Sequence, residues 1–285
     1  MSVTAAQGFR AAGVRAGLKA SGKPDLALVV NDGPLDTAAG VFTTNRVVAA
    51  PVVWSRRLLA GREGGQPGHA RAVVLNSGSA NACTGAQGLR DTEATAACAA
   101  GLVGIEPVQV LVCSTGVIGE RIDMPVLLEG VDVAALALAD TPQAGTDAAT
   151  AIMTTDTVSK EDALTVGTGE QSWTIGGMIK GVGMLAPGLA TMLAVITTDA
   201  VLTPEQAQDA LASATMRTVN RINSDGCMST NDTVLLLASG ASGTTPSQGE
   251  LDEALTEVMS RLGRRLVADA EGATHDIAIT VSGAV

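Results

Sequence analysis

Short apolar runs rich in β-branched residues recur along the chain. They are LALVV (26–30), AGVFTT (39–44), PVVW (51–54), RAVVLN (71–76), VQVLVC (108–113), ALTVG (163–167), SWTIGG (172–177), TMLAVIT (191–197), TVLLLAS (233–239) and IAITVS (277–282). Most are bounded by Gly, Pro, Asn or Asp, the usual punctuation of strands. Helical patterns occupy fewer places. Residues 91–103 are Ala-rich, and 204–222 follow Thr203 as N-cap, with Pro204 first and Gln206 at the third position, a capping box. Residues 248–270 follow Ser247, with Glu250 at the third position and apolar residues at Leu251, Leu255, Val258, Leu262 and Leu266. A further helix is expected over 124–139, interrupted at Gly130. Strands come in runs with helices inserted irregularly, so the pattern predicts an α+β fold rather than a regular βαβ series. No internal repeat and no linker divides the chain.

Composition narrows this further. Of 285 residues, 46% are hydrophobic and 16% charged, which argues against disorder. Only 1% are aromatic, so the core must be built of Ala, Val, Leu, Ile and Met, and there is little to stack on bases. The net charge of −11 repels phosphate backbones and anionic membranes. No nucleic-acid or membrane partner is expected. No apolar run reaches membrane-spanning length, and the N-terminus lacks the apolar stretch of a signal peptide. The four cysteines, at 83, 98, 113 and 227, show no C-x-x-C spacing and read as small buried apolar residues in a reducing compartment. The expected location is the cytoplasm. His69 and His275 are far apart in sequence, so no metal site or histidine-based triad is expected.

One stretch stands out: KGVGMLAPGLATMLAVITTDA, residues 180–200. A Gly-rich turn leads directly into a β-branched run at Ala190-Thr191. Gly181 to Ala186 fit G-x-G-x-x-A, with Asp199 downstream, but a dinucleotide loop must open a helix, and here Pro187-Gly188 and a strand pattern follow. The remaining readings are a connecting turn and a peptide bond that cleaves itself. Self-cleavage would need a strained turn, the Thr191 hydroxyl aimed at the preceding carbonyl, and donors for the oxyanion. It would leave a threonine whose own α-amine, with a pKa near 8, could serve as base. Such an enzyme needs no histidine.

The same stretch closely resembles the cleavage segment of the ornithine acetyltransferase (glutamate N-acetyltransferase) family. Six other segments resemble that family in its order: GFRAAGVRAGLK (8–19), AGVFTTNRVVAAPV (39–52), LNSGSANACTG (75–85), CSTGVIG (113–119), AIMTTDT (151–157) and DGCMSTNDTVLLLASG (225–240). The resemblance implies an αββα sandwich of the N-terminal-nucleophile type, with Ala190-Thr191 as the scissile bond. Residues 1–190 would form an α chain and 191–285 a β chain, intertwined as one unit. Thr191 would be the nucleophile, with Thr115 by its hydroxyl and Gly116 by its N–H forming the oxyanion hole. Thr154, Lys180 and Glu271 would contact substrate, Lys180 facing a carboxylate and Glu271 an amine.

The implied reaction is ping-pong transfer of acetyl from N-acetylornithine to L-glutamate in arginine biosynthesis. It requires no metal and no cofactor, although some family members also take acetyl-CoA as a donor substrate. The implied assembly has two α and two β chains. Family members continue beyond the equivalent of Val285 with a segment that closes over the substrate, so this chain is expected to be partial. That feature favours a non-catalytic remnant as the alternative, with a related N-terminal-nucleophile aminopeptidase the lesser one.

Overall fold

A computed structural model describes residues 2–184, 186, 192–272, 274–275 and 277–283. Ala190 and Thr191 lie outside the described residues. Two sheets form the centre of the molecule. The first has four strands in the order β1 (Phe9–Val14), β2 (Leu26–Asn31), β4 (Ala72–Ser79) and β5 (Val110–Val117). The second has five, in the order β3 (Thr37–Phe42), β9 (Thr233–Ala238), β8 (Leu193–Thr198), β7 (Trp173–Lys180) and β6 (Lys160–Val166). Among the described residues only β4–β5 and β8–β9 pair in parallel.

The period-2 alternation of β8 and β9 explains how the sheets stack. Leu193, Val195, Leu235 and Leu237 enter the core shared with the first sheet. Ala194, Ile196, Val234, Leu236 and Ala238 point the other way, toward the helices α5 (Pro204–Arg217) and α6 (Gln248–Ala268). The first sheet is covered by α2 (Gly85–Val103), α3 (Met124–Leu136) and α4 (Pro142–Ala151). The result is the αββα sandwich expected of the sequence. Strands from both sides of residue 190 share the second sheet: β3, β6 and β7 precede it, and β8 and β9 follow.

The capping boxes are formed as read. Thr203 Oγ1 accepts from Gln206 N at 3.2 Å, and Ser247 Oγ from Glu250 N at 3.3 Å. The α3 helix spans Gly130, whose missing side chain lets Ala16 approach: a Cβ there would meet that of Ala16 at 2.3 Å.

Two expectations are corrected. PVVW (51–54) is not a strand but the start of α1 (Ala50–Leu59), with Pro51 in its first turn. Trp54 Nε1 donates to Val110 O at 2.9 Å and Ser55 Oγ to Val112 O at 2.9 Å, so tertiary packing on β5 fixes the helix. IAITVS (277–282) carries a strand's alternation but forms none, and Ile277, Ile279 and Val281 are all exposed. No helix among the described residues is long and apolar enough to cross a membrane.

Candidate active site

The first two candidate residues stand where β5 leaves the core. Thr115 is buried and Gly116 is exposed. Gly116 has φ +131°, and a Cβ on it would meet Gly78 C at 2.4 Å. The parallel pairing of β4 and β5 shifts register at Gly78 and Ser79, directly opposite. A glycine is therefore required here by both conformation and close approach.

Thr154 follows α4, Lys180 ends β7, and Glu271 lies just beyond α6. All of these face a single cavity of about 300 Å³, lined by Thr115, Gly116, Thr154, Lys180 and Glu271 together with Thr155, Val182, Gly183, Met184 and Asp225. A larger hollow of about 570 Å³, over Arg217, Arg221 and Arg264 at the ends of α5 and α6, holds none of the candidate residues. The candidate residues that the structure describes all converge on the smaller cavity.

Lys180 is the electrostatic centre of the cavity. It is only 2% exposed. Its Nζ donates to Thr154 Oγ1 at 2.7 Å and to Thr115 Oγ1 at 3.3 Å. Burial, with smaller contributions from Lys160 and Lys19, outweighs the attraction of Asp156 and Asp232 and brings its pKa down to about 8. Glu271 is exposed, and its backbone N–H donates to Val182 O at 2.8 Å, fixing the end of α6 against the segment that follows β7.

Several groups in and around the cavity were missed in the sequence. Asp225 lines the cavity and accepts from Met184 N at 2.6 Å. That bond holds Met184 at φ +55°, an uncommon conformation for a non-glycine residue. Asp156 accepts from Gly181 N at 2.8 Å and Thr154 N at 3.0 Å. Burial alone would raise its pKa, but Lys180, Lys160 and these two N–H groups together carry it below the ordinary carboxylate value.

Asp232 accepts from Met192 N at 3.1 Å, one residue beyond Thr191. Burial pushes it up to about 8, against the opposing effects of Met192 N, Thr43, Ser229 and Lys180. Among the described residues its buried Oδ2 has no hydrogen-bond partner; the nearby Thr43 hydroxyl donates to Ser229 O at 2.8 Å. The aspartates at 156, 225 and 232 all fall within quoted segments, but only the fold shows that 156 and 232 are buried and that 225, exposed, lines the cavity.

His69 pairs with Asp36 at 2.8 Å beside β3, away from the cavity. Cys83, Cys98, Cys113 and Cys227 are free thiols, but the expectation that they are buried holds only for Cys113: Cys98 is half-buried, and Cys83 and Cys227 are exposed. Among the described residues no cluster of three or more His, Cys, Asp or Glu could hold a metal ion.

The sequence pattern of the ArgJ family matches residues 10–285. The arginine biosynthesis bifunctional protein ArgJ of Bifidobacterium longum is 59% identical over 285 residues, which are 100% of this chain and 71% of that protein. The ornithine acetyltransferase of Mycobacterium tuberculosis, solved in complex with ornithine, superposes with a TM-score of 0.61 at 52% identity, over 66% of this chain and 96% of that one. The L-aminopeptidase D-Ala-esterase/amidase of Ochrobactrum anthropi, a variant of the Ntn-hydrolase fold, gives a TM-score of 0.58 over 96% of this chain and 88% of its own. At 14% identity it shares the fold alone. Matched along nearly its whole length and at this level of identity, the chain belongs to the ArgJ family.

Proposed function

We propose that this protein moves an acetyl group from N-acetylornithine to L-glutamate through an acetyl ester on Thr191, after cleaving its own Ala190–Thr191 bond. Family membership supports the reaction class. The convergence of Thr115, Gly116, Thr154, Lys180 and Glu271 on one cavity supports the site.

The chemistry follows from the groups present. Cleavage by an N→O acyl shift and hydrolysis frees the Thr191 α-amine, whose pKa near 8 suits it to take the proton from its own Oγ. Oγ adds to the acetyl carbonyl of the donor. The oxyanion forms beside the Thr115 hydroxyl and the Gly116 N–H, where preorganised donors contribute most. Collapse breaks the C–N bond, the departing ornithine amine takes up the proton, and the acetyl group remains as an ester. The glutamate amine then adds to that ester and leaves as N-acetylglutamate, returning the proton to Thr191.

Donor and acceptor both carry an α-carboxylate, which suits the Lys180 cation, while the Glu271 carboxylate suits the δ-ammonium of ornithine. No cofactor enters this scheme, and acetyl-CoA is the natural alternative donor for a bifunctional member. We further assign the processed chains to an assembly with two copies of each, in the cytoplasm. Family membership favours acetyl transfer over the non-catalytic and aminopeptidase alternatives.

The test is Thr191→Ala. The parent protein should yield a chain beginning Thr-Met-Leu-Ala-Val, whereas T191A should stay uncut and transfer no acetyl. A T191A protein that still transferred acetyl would overturn the nucleophile assignment.

A further inference from the structure

Behind the cavity lies a continuous row of buried charges. Lys180 Nζ donates to Thr154 Oγ1 at 2.7 Å, and Thr154 N donates to Asp156 Oδ2 at 3.0 Å. Asp156 Oδ1 also accepts from Gly181 N, adjacent to Lys180, at 2.8 Å. On its far side, Lys160 Nζ donates to Asp156 Oδ1 at 2.7 Å and to Asp269 Oδ2 at 2.5 Å. The Lys160 and Asp156 side chains are fully buried and Asp269 nearly so. Asp269 sits two residues before Glu271, whose N–H is bonded to Val182 O. The row therefore runs from the cation on one wall of the cavity to the base of the segment that carries the carboxylate on the other.

We propose that Asp156 and Lys160 are positioning residues for acetyl transfer: they fix the spacing of Lys180 and Glu271 across the cavity and set the charge on Lys180, so that the site admits substrates bearing a carboxylate. The inference rests on the reading of Lys180 and Glu271 as substrate contacts given above.

A buried ion row is poor value as a source of stability, because desolvation offsets most of the Coulomb gain. It is well suited to holding groups from distant parts of the chain in one geometry. Here it joins the segment after α4, strand β6, strand β7 and the end of α6. The titratable groups facing Lys180 are Asp156 from the segment after α4, Lys160 from β6, Lys19 from the segment after β1 and Asp232 from the segment before β9. Glu271 and Asp225 face it from the cavity. Asp156 favours the protonated lysine and Lys160 disfavours it, so the two act on Lys180 with opposite signs.

That opposition supplies a test that mere loss of structure cannot imitate. KM and kcat for glutamate and for N-acetylornithine are measured from pH 6 to 10 in the parent protein, D156N, D156E, K160M, K180M and D156N/K180M. In the parent, kcat/KM should fall above about pH 8, where Lys180 loses its proton. D156N should move that limb down by about one pH unit, the lower end of what an adjacent opposite charge supplies. K160M should move it up. At pH 8 a one-unit shift cuts the protonated fraction about fivefold, so D156N should raise KM about fivefold with kcat within about threefold, and D156E should keep the parental limb. In the K180M background D156N should change KM by less than about twofold, because the two substitutions act through one group.

The proposal is overturned if the limb stays in place in both D156N and K160M. It is also overturned if D156N raises KM equally with and without Lys180. Should D156N fail to fold, the upward shift in K160M and the retained limb in D156E carry the test. If K180M itself leaves both KM values unchanged, the substrate-site reading fails; if K180M raises them and the Asp156 and Lys160 variants shift nothing, this proposal alone fails.

Discussion

Gly116→Ala is the substitution whose outcome the structure specifies most fully. The new Cβ would lie 2.4 Å from Gly78 C, 2.6 Å from Gly78 O and 2.6 Å from Ser79 N, where real Cβ atoms essentially never come nearer than 3.0 Å. All three are backbone atoms, so no side chain can rotate away, and the end of β5 must shift several tenths of an ångström from β4. Alanine must also adopt φ +131°, a strained conformation costing on the order of 1–3 kcal/mol. Together with the clash, a loss of about 3 kcal/mol is expected. At about 2–4 °C per kcal/mol for a domain of this size, that lowers Tm by roughly 6–12 °C.

The displaced N–H is the proposed oxyanion donor, and losing such a donor lowers kcat by about 10²–10³-fold. Gly119→Ala is the control. Gly119 has φ +91°, but its Cβ would meet nothing within 4 Å. It should lose roughly 1–3 kcal/mol through backbone strain alone and keep kcat within about threefold. The assay pairs thermal unfolding with steady-state acetyl transfer on the three proteins. A G116A protein with parental kcat would refute the placement of the oxyanion donor. One with parental Tm would refute the close approach of β4 and β5.

Other outcomes follow from neighbouring residues. Thr154→Val removes the acceptor 2.7 Å from Lys180 Nζ and should raise KM for glutamate about three- to tenfold, with a loss of roughly 1 kcal/mol measured by urea unfolding. Asp232 holds a proton in the folded state up to about pH 8, whereas the unfolded chain releases it near pH 4. The folded state thus binds more protons in that window, and this group's contribution to stability falls as pH rises from about 4 to about 8. The Tm difference between D232N and the parent should therefore grow in favour of D232N across that range; a constant difference would contradict the raised carboxyl. Leu262→Ala opens a cavity in the core under α6, where Leu262 is fully buried, and should cost about 2–5 kcal/mol by denaturant unfolding with KM unchanged.

The sequence shows its strands well where apolar alternation is bounded by turns, as in LALVV and TVLLLAS, because a strand buried between layers must be apolar on both faces. The helices α5 and α6 are legible through Thr203-Pro204 and Ser247 with Glu250, since caps are local chemistry. PVVW misleads because a four-residue apolar run suits a strand or a buried helix equally, and the deciding contacts of Trp54 and Ser55 with β5 lie more than fifty residues away. α4 escapes because PQAGTDAATA has little polar contrast, although Thr141 with Pro142 marks its start. The candidate residues at 115, 116, 154, 180 and 271 were found through family motifs and meet in one cavity. Asp156 and Lys160 were passed over because a charge in sequence reads as solvent-facing, and their partner Asp269 is 109 residues from Lys160.

The central claim is an acetyl-threonine at residue 191. It is tested by mixing the processed protein with N-acetylornithine in the absence of glutamate, quenching in acid and mapping the mass of each chain. The expected result is one added acetyl group on Thr191 of the chain beginning Thr-Met-Leu-Ala-Val, discharged on addition of glutamate as N-acetylglutamate. Acetyl transfer at full rate with no acetylated chain, or with the acetyl group on another residue, would contradict the account.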